Sequence, residues 1–188
     1  GAEWDIINDD QVVDGDGQEW SRLSNFVNRN NMQVEENYRQ LLEWIDVEQF
    51  TSYYILNIWV QNHDWPHHNW YAVRERRADA KWKLLVWDIE DSFGSGASRG
   101  SYTMNTFANA QQGGIIGTIF QKLLTNDQYK VYFKERLDHY LATVLNPTYL
   151  LPLLDDLAGE ARAAMPFEAE RWNKIGRASC RERVYHPV

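Results

Sequence analysis

The sequence predicts an α+β fold that is mostly helical, and three observations lead to this fold class. Apolar residues recur at helical spacing over most of the chain after residue 35. Two runs rich in aromatic and branched residues, 69–74 and 81–87, are typical of strands. The 188 residues are 44% hydrophobic, with 9 Trp and 10 Tyr, so the chain carries enough apolar surface for one core.

The first half of the chain is predicted to build the centre of the fold. Residues 3–30 are expected to be turn-rich, and residues 35–45 to form a helix. Asp46 is predicted to cap the next helix, with Gln49 three residues later as its capping-box partner. That helix carries apolar residues from Val47 to Val60 on nearly every side, which predicts the buried central helix of the domain.

A β-hairpin is predicted after the central helix. The runs 69–74 and 81–87 read as strands, and the charged segment 75–79 reads as the turn between them. A hairpin brings its two ends together, so Asn69 and Asp88 are expected to be close in space. The sequence therefore predicts that the hairpin carries two residues of one site.

A long loop and a helical C-terminal part complete the predicted fold. Residues 94–114 are rich in Gly, Ser, Ala, Asn and Gln, and a loop of this length is usually functional or mobile. Helices are predicted at 115–125, 128–145 and 149–164, followed by a short segment at 167–172. No apolar run approaches the ~20 residues of a membrane span.

Neither end of the chain is expected to be a natural terminus. Residues 175–188 show neither apolar periodicity nor capping residues, and they resemble a translated sequencing-adapter read-through; a basic, disordered tail is the alternative. The chain begins at Gly1 without a Met, which predicts a natural N-terminus further upstream. The domain is therefore expected to occupy residues 1–174, which contain no cysteine and so predict neither disulfides nor thiolate metal ligands.

The chain is acidic, with a formal net charge of -8. Nonspecific nucleic-acid binding depends on Lys and Arg that meet phosphates, so the charge argues against that function class. A nucleotide bound to this surface would need a cation to screen its phosphates.

The most informative motif lies at residues 62–69, where the central helix is expected to end at Pro66 because proline has no backbone N–H to donate. Asp64 and Asn69 have the spacing D-x-x-x-x-N, and Asp88 with the later pair Phe93-Gly94 gives a stretched version of D-F-G. Phosphoryl transfer needs a carboxylate that orients the attacking hydroxyl, an amide oxygen on a metal, and a second carboxylate on the metal that bridges the phosphates. The residue types and their spacing therefore predict that Asp64, Asn69 and Asp88 lie around one cation.

Each of these acids also has a structural interpretation. Asp64 alone is consistent with a cap on the turn at Pro66, and Asp88 alone with a strand-end acid that accepts backbone N–H groups. The combination with Asn69 at this spacing favours function.

Other side chains near the motif have alternatives as well. The stretch contains three histidines, His63, His67 and His68. Imidazole suits zinc, copper and nickel, which keeps a His/Asp metal-dependent phosphohydrolase as an alternative function. Asn62 and His68 are candidate supporting residues of the kinase-type site. Trp70 and Trp87 are candidates for stacking on a nucleotide, with packing in the core as their alternative.

The stretches that carry a family resemblance run from the central helix through the hairpin. They are Ile55-Leu56-Asn57-Ile58-Trp59, Asn62-x-Asp64-Trp65-Pro66-x-x-Asn69-Trp70-Tyr71 and Trp82-Lys83-Leu84-Leu85-Val86-Trp87-Asp88. Through them residues 4–172 resemble the later part of the CotH domain, which defines atypical protein kinases first associated with bacterial spore coats. The resemblance implies a protein-kinase-like C-lobe that binds ATP with Mg²⁺ or Mn²⁺ and phosphorylates Ser or Thr of a protein substrate.

The resemblance also assigns roles to single residues. Asp64 matches the catalytic Asp, and Asn69 and Asp88 match the metal-binding residues. Glu90 stands where the family often has a second Asp, and Asp91 is a candidate substitute for that Asp.

The resemblance implies an N-terminal lobe with a glycine-rich loop and a Lys, which would precede Gly1. These 188 residues alone are therefore expected not to phosphorylate a substrate efficiently. A non-catalytic pseudokinase, or a coat or cell-surface binding module, stays open as an alternative. The resemblance also suggests a bacterial extracytoplasmic or surface location.

Overall fold

The structure is a computed structural model that describes residues 3–89, 92–93 and 104–172. The chain divides into two compact units, Gly1–Leu137 and Asp138–Val188. The predicted α+β class is confirmed, because the first unit combines helices with a four-stranded antiparallel sheet. Among the described segments, no helix has both the length and the apolar character needed to cross a bilayer.

The elements of the first unit precede those of the second along the chain. The first unit contains β1 (Trp4–Asn8), β2 (Gln11–Asp14), α1 (Gln18–Arg29), α2 (Glu35–Trp44), α3 (Val47–Trp59), β3 (Trp70–Glu75), β4 (Lys83–Val86), α4 (Thr106–Asn109), α5 (Gly114–Leu123) and most of α6 (Asp127–Ala142). The second unit contains the end of α6, α7 (Pro147–Arg162) and α8 (Met165–Trp172). Apart from the end of α3, the predicted helices and the hairpin strands lie close to these bounds.

The expectation for residues 3–30 is wrong, because this region forms β1, β2 and α1. The sheet order is β2-β1-β3-β4, and β1 pairs with β3 so that Ile6 lies opposite Val73. This partner is distant in sequence, so the short run of β1 gives little local signal among the surrounding Asp and Gly residues. Buried Asp5 secures the strand further, because its Oδ1 accepts a hydrogen bond from Nε of Arg76 at 2.9 Å.

The central helix α3 is buried as predicted, with Tyr54 at 0% exposure. Its N-terminus is capped by Asp46, whose carboxylate accepts from the backbone N–H of Gln49 at 3.1 Å. The side chain of Gln49 does not complete a capping box. It instead accepts from the backbone N–H of Leu84 at 2.9 Å and donates to the carbonyl of the same residue, which ties α3 to β4.

The expected end of α3 at Pro66 is also wrong, because the helix ends at Trp59. Gln61 adopts a left-handed backbone with φ 56, its N–H donates to the carbonyl of Ile58, and the N–H of Asn62 donates to that of Asn57. These two hydrogen bonds form a Schellman motif, which satisfies the last carbonyls of the helix without proline. The chain therefore leaves α3 several residues before Pro66.

Within the predicted loop 94–114, the described part contains the short helix α4. Residues 94–103 lie outside the described residues, as do residues 173–188 with the predicted tail.

Candidate active site

The segment 60–69, between α3 and β3, is anchored in the core by a tryptophan. Trp65 is 1% exposed, its indole N–H donates to the hydroxyl of Tyr53 at 2.8 Å, and its ring meets that of Tyr54 edge-on at 4.8 Å. Burial raises the pKa of the Tyr53 hydroxyl, so this hydroxyl stays neutral at physiological pH. A rigid core contact therefore holds the residue next to Asp64.

Asp64 is the centre of a small polar cluster at the surface. Its Oδ2 accepts a hydrogen bond from Nδ2 of Asn69 at 3.3 Å, and its Oδ1 lies 3.1 Å from Nε2 of His67. A carboxylate must receive an N–H, so the contact orients the Asn69 amide with its carbonyl oxygen directed away from Asp64. That carbonyl oxygen is the atom a hard cation prefers. The structure thus brings two of the three predicted residues into direct contact.

Asn69 and Asp88 share an unusual backbone conformation. Both are left-handed, with φ 63 and φ 54, a conformation that Asn and Asp tolerate better than other non-glycine residues. The register of the hairpin pairs Trp70 with Val86, so Asn69 precedes and Asp88 follows the paired strands at the same end of the sheet. Residues in sparsely populated conformations concentrate at functional sites, which makes this end the candidate site.

The candidate supporting residues occupy different environments. Asn62 is 1% exposed, and its side-chain amide donates to Oδ1 of Asn57 at 2.9 Å, so it supports the end of α3. His68 is exposed, and its Nδ1 lies 3.6 Å from Oδ2 of Asp9. Glu90 and Asp91 lie outside the described residues.

The two candidate stacking residues differ in accessibility. Trp70 is 1% exposed and packs against Trp20 with ring centroids 5.7 Å apart, so it presents no open face to a ligand. Trp87 is 55% exposed and meets Tyr71 edge-on at 5.4 Å. Of the two, Trp87 is therefore the one available for stacking.

Two residues near the site were not anticipated from the sequence. Asp9, in the turn between β1 and β2, reaches His68 as described above, and the only local signal was its place in an Asn-Asp-Asp turn between apolar pairs. Gly113, just before α5, packs so closely that a Cβ there would lie 3.0 Å from the backbone of His67. No sequence signal indicates that long-range contact.

The electrostatics of this end of the sheet suit a cation more than a bare phosphate. Asp9 follows β1, Asp64 lies in segment 60–69 and Asp88 follows β4. Segment 45–73 contains no Lys or Arg. No three His, Cys, Asp or Glu side chains cluster closely enough for a metal in the part of the chain that is described. The predicted residues Asp64, Asn69 and Asp88 would instead offer two carboxylates and one amide oxygen. Mg²⁺ accepts these groups as ligands alongside phosphate oxygens.

The comparison with known families agrees with the resemblance noted from the motifs. The family described as CotH kinase protein matches residues 2–186, nearly the whole chain. Neither the curated proteins nor the solved structures provide a match. The chain belongs to the CotH kinase family.

Proposed function

We propose that this chain carries the catalytic and metal-binding residues of an atypical protein kinase, which transfers the γ-phosphoryl group of ATP to a Ser or Thr hydroxyl of a protein substrate. The observation that carries the proposal is the hydrogen bond between Asp64 and Asn69, at kinase spacing, beside the hairpin end that also holds Asp88. Family membership supports the kinase class, and the buried α3 beside the hairpin supports a kinase-like C-lobe.

Asp64 is proposed to orient the acceptor hydroxyl and to receive its proton. Its carboxylate is half-buried, so it is reachable from solvent, and the contacts from Asn69 and His67 restrict its orientation. A fixed acceptor of this kind contributes through positioning, which supplies most of the rate in phosphoryl transfer.

The site residues fit a divalent cation by their chemistry. Asn69 would offer its carbonyl oxygen and Asp88 its carboxylate to Mg²⁺ or Mn²⁺. Such a cation, when bound with ATP, would neutralise charge on the phosphates. Segment 45–73 contains no Lys or Arg that could make this contribution. Trp87 is the proposed stacking surface for the adenine, because its ring is exposed at the same end of the hairpin.

A thermal-shift experiment tests nucleotide binding on this chain. A ligand that binds only the folded state stabilises it by RT ln(1 + [L]/Kd), about 2.7 kcal/mol at 100 times Kd. We expect ATP to raise the melting temperature with Mg²⁺ and to raise it much less with EDTA. Absence of any shift with Mg²⁺ and ATP would contradict the proposal and favour a coat or surface binding module.

Turnover separates an active kinase from a pseudokinase. We expect the Asp64→Asn variant to keep the Mg²⁺-dependent thermal shift. In the full-length protein, the same substitution should abolish the transfer of radiolabelled phosphate from ATP to a protein substrate. Equal transfer by Asp64→Asn and the unmodified protein would remove Asp64 from the catalytic role. A shift with Zn²⁺ but not with ATP would instead favour the His/Asp phosphohydrolase.

A further inference from the structure

We propose that Asp9 is a positioning residue of this site, which acts through His68 to hold the left-handed backbone of Asn69. The inference rests on the proposed function, in which Asn69 is a metal ligand, and adds a residue from the other end of the chain. Asp9 itself does not touch the reacting groups.

Sheet pairing brings the turn that contains Asp9 to the start of β3. β1 and β2 are joined by a two-residue turn in which Asp9 and Asp10 have φ 47 and φ 65, the backbone of a type I′ hairpin. β1 ends where Asn8 lies opposite Tyr71 of β3. Because β1 and β3 are antiparallel, the turn extends alongside the residues that precede β3, which are His68 and Asn69.

The contacts of Asp9 face the site segment rather than its own hairpin. Its Oδ2 lies 3.6 Å from Nδ1 of His68. The charge of Asp9 also adds to the rise that burial causes in the pKa of Tyr53, the residue that holds the indole of Trp65. Asp9 therefore faces segment 60–69 from the turn between β1 and β2.

The second oxygen of Asp9 is the unusual one. Oδ1 is buried and has no hydrogen-bond partner among the described residues. A carboxylate that served only the turn would gain nothing from this position, because Asn or Gly suits a type I′ turn without burying an unpaired charge. The turn alone therefore does not explain a carboxylate here, whereas the approach of Oδ2 to His68 gives it a role outside the turn.

Asp10, the neighbour in the same turn, has a structural role and provides the matched comparison. Its Oδ1 accepts from the indole N–H of Trp20 at 3.0 Å, and its Oδ2 would lie 3.4 Å from a Cβ at Gly114, the first residue of α5. Asp10 thus ties the turn to α1 and lies next to the first residue of α5, whereas Asp9 lies beside His68.

The test compares Asp9→Gly with Asp10→Gly, because glycine accepts both left-handed positions without strain. In the protein without ligand, we expect Asp9→Gly to shift the Cα and Cβ resonances of Asn69, which follow its backbone conformation, and Asp10→Gly to leave them in place. In the presence of the ATP analogue AMP-PNP, we expect Asp9→Gly to bind Mn²⁺ about tenfold more weakly than the unmodified protein. A loss of this size is typical when a residue that orients a metal ligand is removed. Asp10→Gly should instead lower the melting temperature.

Three outcomes overturn the inference: unchanged Asn69 resonances in Asp9→Gly, equal changes in both variants, or Mn²⁺ binding by Asp9→Gly as tight as by the unmodified protein. If the unmodified protein binds no Mn²⁺ with AMP-PNP, the proposed function fails, and the Asn69 resonances still decide whether Asp9 holds that residue. If Mn²⁺ binds equally well to Asp9→Gly and to the unmodified protein, Asp9 has no positioning role while the proposed function stands.

Discussion

The contact between Gly113 and His67 allows a quantitative test of how the site segment is held. Gly113 has φ 80, and a Cβ at this position would lie 3.0 Å from N, Cα and Cβ of His67. These are mainly backbone atoms, so no flexible side chain can move aside. The substitution Gly113→Ala therefore has to change the backbone of Gly113, or displace His67 from Asp64.

The expected loss of stability in Gly113→Ala has two causes, the left-handed backbone at this position and the close contacts with His67. A non-glycine residue in such a sparsely populated conformation costs about 1–3 kcal/mol, and the close contacts with His67 add to it. With a urea m-value of about 2 kcal/mol/M, the unfolding midpoint of Gly113→Ala should fall by about 0.5–1.5 M. Circular dichroism during urea titration measures this midpoint.

Gly159 provides the matched control, because it lies inside α7 and a Cβ there meets nothing within 4 Å. Gly159→Ala should stabilise its helix by about 0.5–1 kcal/mol, because alanine loses less backbone entropy than glycine. A Gly113→Ala protein as stable as the unmodified chain would refute the close contact with His67. An equal loss in both variants would show a general intolerance of alanine instead.

Two further predictions concern the hairpin. Gln49→Ala should lower the free energy of unfolding by about 1–3 kcal/mol in a urea titration, because it leaves the N–H and C=O of Leu84 without their partner. Glu43→Ala, on the exposed face of α2, should change the free energy of unfolding little. Equal effects of the two substitutions would contradict the tie between α3 and β4. If the indole of Trp87 stacks on adenine, Trp87→Ala should weaken AMP-PNP binding by about 1–3 kcal/mol, measured by calorimetry with Mg²⁺. Trp4 is exposed at the other end of the sheet, so Trp4→Ala should leave the binding unchanged. Unaltered binding by Trp87→Ala would exclude the stacking role.

Local patterns predicted most of the helices and the hairpin, because their signals lie within short windows. α3 is apolar on nearly every side, and the two hairpin strands flank a charged turn. The same reasoning placed Asn69 and Asp88 at one end of the hairpin. The observed register agrees with that placement.

Interactions between distant segments account for what the sequence did not reveal. β1 pairs with β3, more than sixty residues later, so a five-residue run among Asp and Gly residues could not be recognised as a strand. Gln49 has the spacing of a capping-box residue, but the backbone of Leu84 competes for its side chain. The place of Asp9 in the site depends on that unrecognised strand, which explains why it was missed.

The most direct test of the account is the binding of Mn²⁺ in the presence of AMP-PNP, followed by electron paramagnetic resonance. Asn69→Gly and Asp88→Gly keep the left-handed backbone and remove one proposed ligand each, because glycine has no side-chain oxygen. Asp79→Asn changes an exposed acid at the opposite end of the hairpin. We predict that the first two variants bind Mn²⁺ at least about tenfold more weakly and that Asp79→Asn binds it as the unmodified chain does. Equal affinity in all four proteins would contradict a cation site at Asn69 and Asp88.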